Sequence, residues 1–205
     1  PETVRDLTLE IGLSTSEPTI SWEIINAINR KNLDPIAMRY FVVRNPVELD
    51  VDAAPERDVK LKRHPDDSSK GFRHIETRGK FFIEEIDARQ MKPGDVLRLK
   101  DLYNIEIVEK EEHRILARYR GDEVIRDVAK IHWLPRDSFI PVQLLVPDIL
   151  ILEDDRINEN SLKVFRCVGE PEIGHLEEDS IIQMERVGFG RIDRNEKNRV
   201  TIIQA

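Results

Sequence analysis

The hydrophobic pattern of the chain changes its period at Pro35. Before that point, apolar residues recur every three or four positions, at Val4, Leu7 and Ile11 and again at Trp22, Ile24, Ile25 and Ile28. This is the spacing of one helical face. Pro1 suits a first turn, Gly12 a C-terminal stop and Ser21 an N-cap. Asp34-Pro35 should end the second helix, because the residue before a proline is pushed out of the α region. Beyond Pro35 the chain breaks into short runs rich in branched and aromatic residues, at 40–43, 47–51, 80–83, 96–100, 105–108, 114–119, 130–134, 142–146, 163–168 and 181–193. Turn residues punctuate them at 92–95, 120–122, 135–137 and 158–161. The stretch 149–155 fits either a strand or a helix. Many short strands at this spacing predict a mainly β sandwich or barrel behind a short helical segment.

Composition narrows the class. The 205 residues suffice for one large or two small cores. Charged residues make up 35% of the chain, above the roughly 25% typical of globular proteins. With Cys167 the single cysteine, this leans towards a heat-adapted cytoplasmic protein without disulfides or a thiolate metal cluster. No apolar run approaches the roughly 18 residues of a membrane span, and no signal peptide pattern opens the sequence. Helix-forming sequence begins at once at Pro1, which reads as a piece of something longer. A net charge of −8 argues against holding nucleic acid by bulk electrostatics. Residues 57–80 are the local exception, with eight Lys/Arg against four acids. That asymmetry fits an interaction patch and, equally, a solvated loop-rich face.

Three places carry side chains of chemical interest. Between 96 and 100, Leu97 and Leu99 point one way, so Arg98 and Lys100 project together from the other face. The preceding turn adds Arg89, Gln90 and Lys92. Near the end, Gln183 and Arg186 place an amide and a guanidinium in an apolar segment, and these are usual readers of nucleobase edges. His132 and Trp133 fit a hydrogen-bonded histidine and a core aromatic better than a ligand and a stacking platform. Catalytic sets are missing: the five histidines show no metal-ligand spacing, and neither a phosphate loop nor a nucleophile elbow occurs.

Four ordered motifs are similar to a known family: 35–49 (PIAMRYFVVRNPVEL), 97–105 (LRLKDLYNI), 131–134 (IHWL) and 183–189 (QMERVGF). Together with Asn29-Arg30-Lys31 they resemble the C-terminal half of glutamyl-tRNA synthetases of the archaeal and eukaryotic type, and of the sister glutaminyl enzymes. The resemblance implies a mainly β fold of two six-stranded-type β-barrels, one inserted in the other. It divides the chain into a helical connector (1–34), a proximal barrel (35–50 plus 135–205) and a distal barrel (51–134). It further implies a tRNA partner, tRNA(Glu) and with it tRNA(Gln), and no cofactor, metal or catalytic residue in this part. ATP and Mg would act in the catalytic domain, whose HIGH and KMSKS-type motifs are not in this sequence. Carried over by position, Arg39, Gln183 and Arg186 would converge on the middle anticodon base, a uridine. Arg98 and Lys100 would hold the first base and its phosphate, and Arg89 with Gln90 would lie near the third. Glutaminyl enzymes carry an arginine where this sequence has Gln90, which leaves the third base's reading open. The same region of a glutaminyl enzyme and a β-rich protein-interaction module are the alternatives. The shared-base reading also sets a geometric condition. Gln183 and Arg186 stand an odd number of residues apart, so the strand must break its alternation between them.

Overall fold

The computed structural model describes residues 2–12, 20–152, 154–196 and 198–205. Two helices come first, α1 (Glu2–Ile11) and α2 (Trp22–Leu33). Gly12 ends α1 at φ +68°, the left-handed stop expected of it, with its N–H on the Thr8 carbonyl at 3.1 Å. Ser21 occupies the N-cap of α2, but its hydroxyl accepts no bond from the helix backbone; it donates instead to the Glu23 carboxylate and holds that group below its usual range. Asp34 keeps helical dihedrals (φ −55°, ψ −40°) despite preceding Pro35. The chain therefore turns once more before extending, with the Ala37 N–H on the Leu33 carbonyl at 2.9 Å. The helices are joined by Thr3–Asn29 and Asn32–Asp6 bonds of 2.8 Å, and none of their residues is buried.

The strands follow: β1 (Met38–Tyr40), β2 (Val42–Arg44), β3 (Pro46–Asp52), β4 (Arg57–Lys62), β5 (Phe72–Thr77) and β6 (Lys80–Glu84). After the short helix α3 (Glu85–Gln90) come β7 (Val96–Leu99), β8 (Asn104–Lys110), β9 (Arg114–Tyr119), β10 (Lys130–Ile131), β11 (Leu134–Pro135), β12 (Ile140–Pro147), β13 (Leu162–Gly169), β14 (Ile181–Met184), β15 (Gly188–Glu196) and β16 (Arg199–Gln204). They form two seven-stranded sheets, in the orders β1-β14-β15-β16-β12-β13-β2 and β10-β7-β8-β9-β3-β6-β11. In each sheet the two outermost strands belong to one continuous stretch of chain. β1 and β2 are separated only by Phe41, and β10 and β11 only by His132 and Trp133. Each sheet is thus six chain segments curled towards a closed barrel, and its closing segment pairs with both neighbours but is interrupted in the middle.

The sheets meet at those interruptions. Tyr40 and Val42 point into the core of the first sheet, while Phe41 and Val43 belong to the core of the second. Phe41 lies 5.9 Å from Trp133 and 6.0 Å from His132, ring centre to ring centre, and Trp133 lies 5.2 Å from Phe81. His132 Nε2 bonds the Val42 carbonyl across the junction at 2.9 Å, and Trp133 Nε1 donates to the Lys100 carbonyl within the second sheet at 2.9 Å. Sheet membership changes at Asn45, since β3 pairs with β6 and β9, and the first sheet resumes at Ile140.

Three parts of the fold escape the reading of the pattern, the last of them β16 (Arg199–Gln204), which follows the final run at 181–193. The basic stretch 57–80 contains a hairpin, β4 with β5, forming its own two-stranded sheet. Its alternation is masked because Arg73 occupies an inward position, among Val59, Leu61 and Ile75. The stretch 85–90 is helical rather than a turn, with too few residues for a 3.6-residue period to show. The ambiguous 149–155 is neither strand nor helix among its described residues; only an isolated bridge joins Ile151 to Ile157.

Candidate nucleic-acid interface

β1 and β14 run parallel with Arg39 opposite Gln183. Same-register residues on neighbouring strands project from one face about 5 Å apart. β14 ends at Met184, and Glu185, Arg186 and Val187 form the turn to β15, closed by the Val187 N–H on the Met184 carbonyl at 3.0 Å. Arg186 adopts φ +65°, left-handed backbone that a non-glycine residue rarely takes. The alternation breaks between Gln183 and Arg186, as their acting together requires.

Around this turn the second sheet supplies charged neighbours. The Arg186 guanidinium clasps Asp87 of α3 with bonds of 2.6 and 2.7 Å, and its Nη1 lies 3.3 Å from His132 Nδ1. Since His132 Nε2 meets a carbonyl, that nitrogen carries the proton and Nδ1 accepts from Arg186. Burial lowers the His132 pKa and keeps the ring neutral. The Asp87 hydrogen bonds raise the pKa of Arg186. Lys100, at the end of β7, pairs with Glu185, and its ammonium lies 5.7 Å above the Phe41 ring. Burial, followed by the fields of Arg73, Arg39 and Arg186, lowers its pKa against the pull of Asp101.

Arg39, Lys100, Gln183 and Arg186 thus come together where the barrels touch. Arg98 is on the same strand face as Lys100, yet its guanidinium is directed elsewhere, to Asn104 Oδ1 (3.0 Å) and the carbonyls of Leu102 (3.1 Å), Asp122 (3.1 Å) and Glu123 (3.4 Å). Arg89 and Gln90 are exposed on α3, the helix that carries Asp87, and among the described residues form no hydrogen bond or ion pair with the cluster; Arg89 pairs with Glu85 at 2.7 Å.

Two atoms of the cluster are buried without a hydrogen-bond partner, Arg39 Nε and Gln183 Oε1. Each such group costs about 1–3 kcal/mol. Glu84, Asp87 and His132 also converge, with ligand atoms within 4.8 Å of one another. The two carboxylates already pair with the guanidinia of Arg44 and Arg186, so this constellation carries its own cations.

The sequence reading passed over Arg73. Its side chain is 2% exposed, and it bonds Glu170 at 2.9 Å, Glu185 at 3.0 Å and the Lys62 carbonyl, with its guanidinium 5.3 Å from the Phe41 ring centre. The available signal was the alternation of β5, which sets Arg73 on the inward face with Ile75 and Thr77 while Phe72, His74 and Glu76 face outward.

Two family models described as "tRNA synthetases class I (E and Q), anti-codon binding domain" match residues 37–120 and 130–193. A glutamate–tRNA ligase of Pyrococcus abyssi is 37% identical over the whole chain, and those of Pyrococcus furiosus and Methanosarcina mazei are 36% identical over 100% and 94% of it. The chain spans about a third of these relatives, 34%, 34% and 31% of their lengths. With both models matching in order across the two joined sheets, the chain belongs to the anticodon-binding region of the class I glutamyl and glutaminyl tRNA synthetases.

Proposed function

We propose that this chain is the anticodon-binding part of a glutamate–tRNA ligase, which attaches glutamate to tRNA(Glu) with ATP and Mg in a catalytic part outside it, in the cytoplasm. The observation that carries the reading is the register of Arg39 opposite Gln183 on neighbouring strands, with the left-handed turn bringing Arg186 into the same cluster. A uracil edge offers an N3–H donor flanked by two carbonyl acceptors. Gln183 Oε1 accepts from N3–H, and the guanidinia of Arg39 and Arg186 donate to the carbonyls. Cytosine presents an acceptor at N3 and an amino donor beside it, which leaves the amide oxygen and one guanidinium facing like groups. Lys100 meets the first base's phosphate, with Arg98 shaping the loop that carries it. Arg89 and Gln90 lie by the third base, where an exposed amide is a weaker discriminator than an arginine and suits use of both tRNA(Glu) and tRNA(Gln).

In the free protein each cation of the cluster has a carboxylate, Arg39 with Asp34, Arg186 with Asp87 and Lys100 with Glu185. RNA therefore exchanges one set of partners for another, which favours specificity over affinity and agrees with the net charge of −8. The test is binding of full-length protein to tRNA(Glu) transcripts with U or C at the middle anticodon position. Preference for U that disappears in Arg39→Ala and Arg186→Ala is expected; equal binding of both transcripts by the unaltered protein would overturn the reading. Aminoacylation of tRNA(Gln) by the same protein tests the wider substrate range, and its strong rejection would remove it.

A further inference from the structure

Glu185 is an acid in the middle of a surface that should receive RNA, lying between Gln183 and Arg186. It is fixed at three points. Its N–H bonds the Tyr40 carbonyl at 3.0 Å, and its carboxylate takes Arg73 Nη2 on one oxygen and Lys100 Nζ on the other. Arg73 comes from β5, a hairpin belonging to neither seven-stranded sheet. It is fixed in turn by Glu170, whose carboxylate also accepts the Phe41 N–H at 2.6 Å, at the break of the first sheet's closing segment. Burial pushes Glu170 up to about 7 against the pull of Arg73.

We infer that Arg73 is a positioning residue for base discrimination: acting through Glu185, it fixes the 185–187 turn at the angle that lets Arg186 and Gln183 address one base. The inference rests on the proposed reading of the middle uridine. Arg73 reaches no base itself, being closed off from solvent. Its planar guanidinium serves Glu170, Glu185 and the Lys62 carbonyl in three directions at once, a geometry a lysine ammonium on a flexible stem does not reproduce. Without it, the Glu185 carboxylate keeps only Lys100, and the turn, still tied by the Glu185 N–H to Tyr40, loses the contact that sets its angle and can relax from the left-handed Arg186 conformation. Removing Arg73 should therefore blur the choice of base more than it weakens phosphate contacts.

The test uses full-length protein and the two tRNA(Glu) transcripts with U or C in the middle of the anticodon, and reads the ratio of their dissociation constants. Partial misfolding lowers the active fraction for both transcripts alike and leaves that ratio unchanged. Arg73→Met and Glu185→Ala should each reduce the preference for U by about tenfold, the size of one good base contact. The double variant should lose no more than the worse single one, because both act through one turn. Glu185→Gln, which still accepts from Arg73, should keep most of the preference. Arg63→Met, which breaks the Arg63–Glu172 pair of the same hairpin, should leave the ratio untouched. If Arg73→Met retains full preference while Arg186→Ala loses it, the inference is overturned and the reading of the base stands. If the unaltered protein shows no preference, both fall.

Discussion

In the first barrel the closing segment is interrupted by one apolar residue, Phe41, whereas in the second it is interrupted by His132 and Trp133, both with ring nitrogens. The consequence is a division of labour at the contact. Phe41 enters the other barrel's core, and its backbone N–H and carbonyl are met by Glu170. His132 instead reaches back to Val42 and Arg186 of the first barrel, while Trp133 holds the Lys100 carbonyl within its own. The first break supplies the wedge and the second supplies bonds that set charged side chains, so a barrel-closing defect becomes the scaffold of the site.

The comparison breaks most severely at Trp133, fully buried against Phe41 and Phe81. Trp133→Ala should cost about 3–5 kcal/mol in denaturant unfolding, and it should loosen both barrels together because the indole packs on Phe41 of the first barrel's closing segment. A smaller effect separates the two cations of β7. Arg98→Ala should cost about 1–3 kcal/mol of stability by stranding Asn104 and three carbonyls, with base preference unchanged. Lys100→Ala should do the reverse, with little loss of stability and a salt slope of tRNA binding reduced by about one.

The polar break also makes pH a probe. Burial holds the folded pKa of His132 below its usual 6.5. The unfolded chain therefore binds this proton first as pH falls, so the ring's contribution is intact above about 6.5 and is lost below it. Glu170 runs in the opposite sense. Its folded pKa is raised from 4.5 to about 7, so its contribution is full below 4.5 and is lost as pH rises through 7. Comparing unfolding free energies of the unaltered protein and His132→Gln between pH 7.5 and 5.5 isolates the ring, since Glu170 is common to both. The unaltered protein should lose more stability on acidification. The smallest effect lies far from either break: Leu9→Ser, on a helix without buried residues, should change stability by less than about 0.5 kcal/mol.

Much of this was legible in the chain because strand alternation is a local property. Leu97 and Leu99 are buried at 4% and 0%, with Arg98 and Lys100 on the opposite face, as the period of two requires. The family resemblance rested on contiguous motifs and was equally visible. Other features stayed hidden for physical reasons. Arg98 and Lys100 share a face yet meet different partners, since a long side chain reaches several ångströms beyond its Cβ direction. The β4–β5 hairpin went unseen because hydropathy counts Arg73 as surface, while tertiary structure buries it between two carboxylates and an aromatic ring.

The sequence by itself determined the helical start, the run of short strands, the family and the condition that Gln183 and Arg186 can act together only across a break. Each follows from neighbours along the chain. Only the tertiary structure decided that the break exists, that Arg39 lies in register with Gln183, and that Asp87, His132 and Arg73 hold the turn between them. Those contacts join residues 54 to 144 positions apart, and such pairings exist only once each barrel has closed on its interrupted segment and the two interruptions have met.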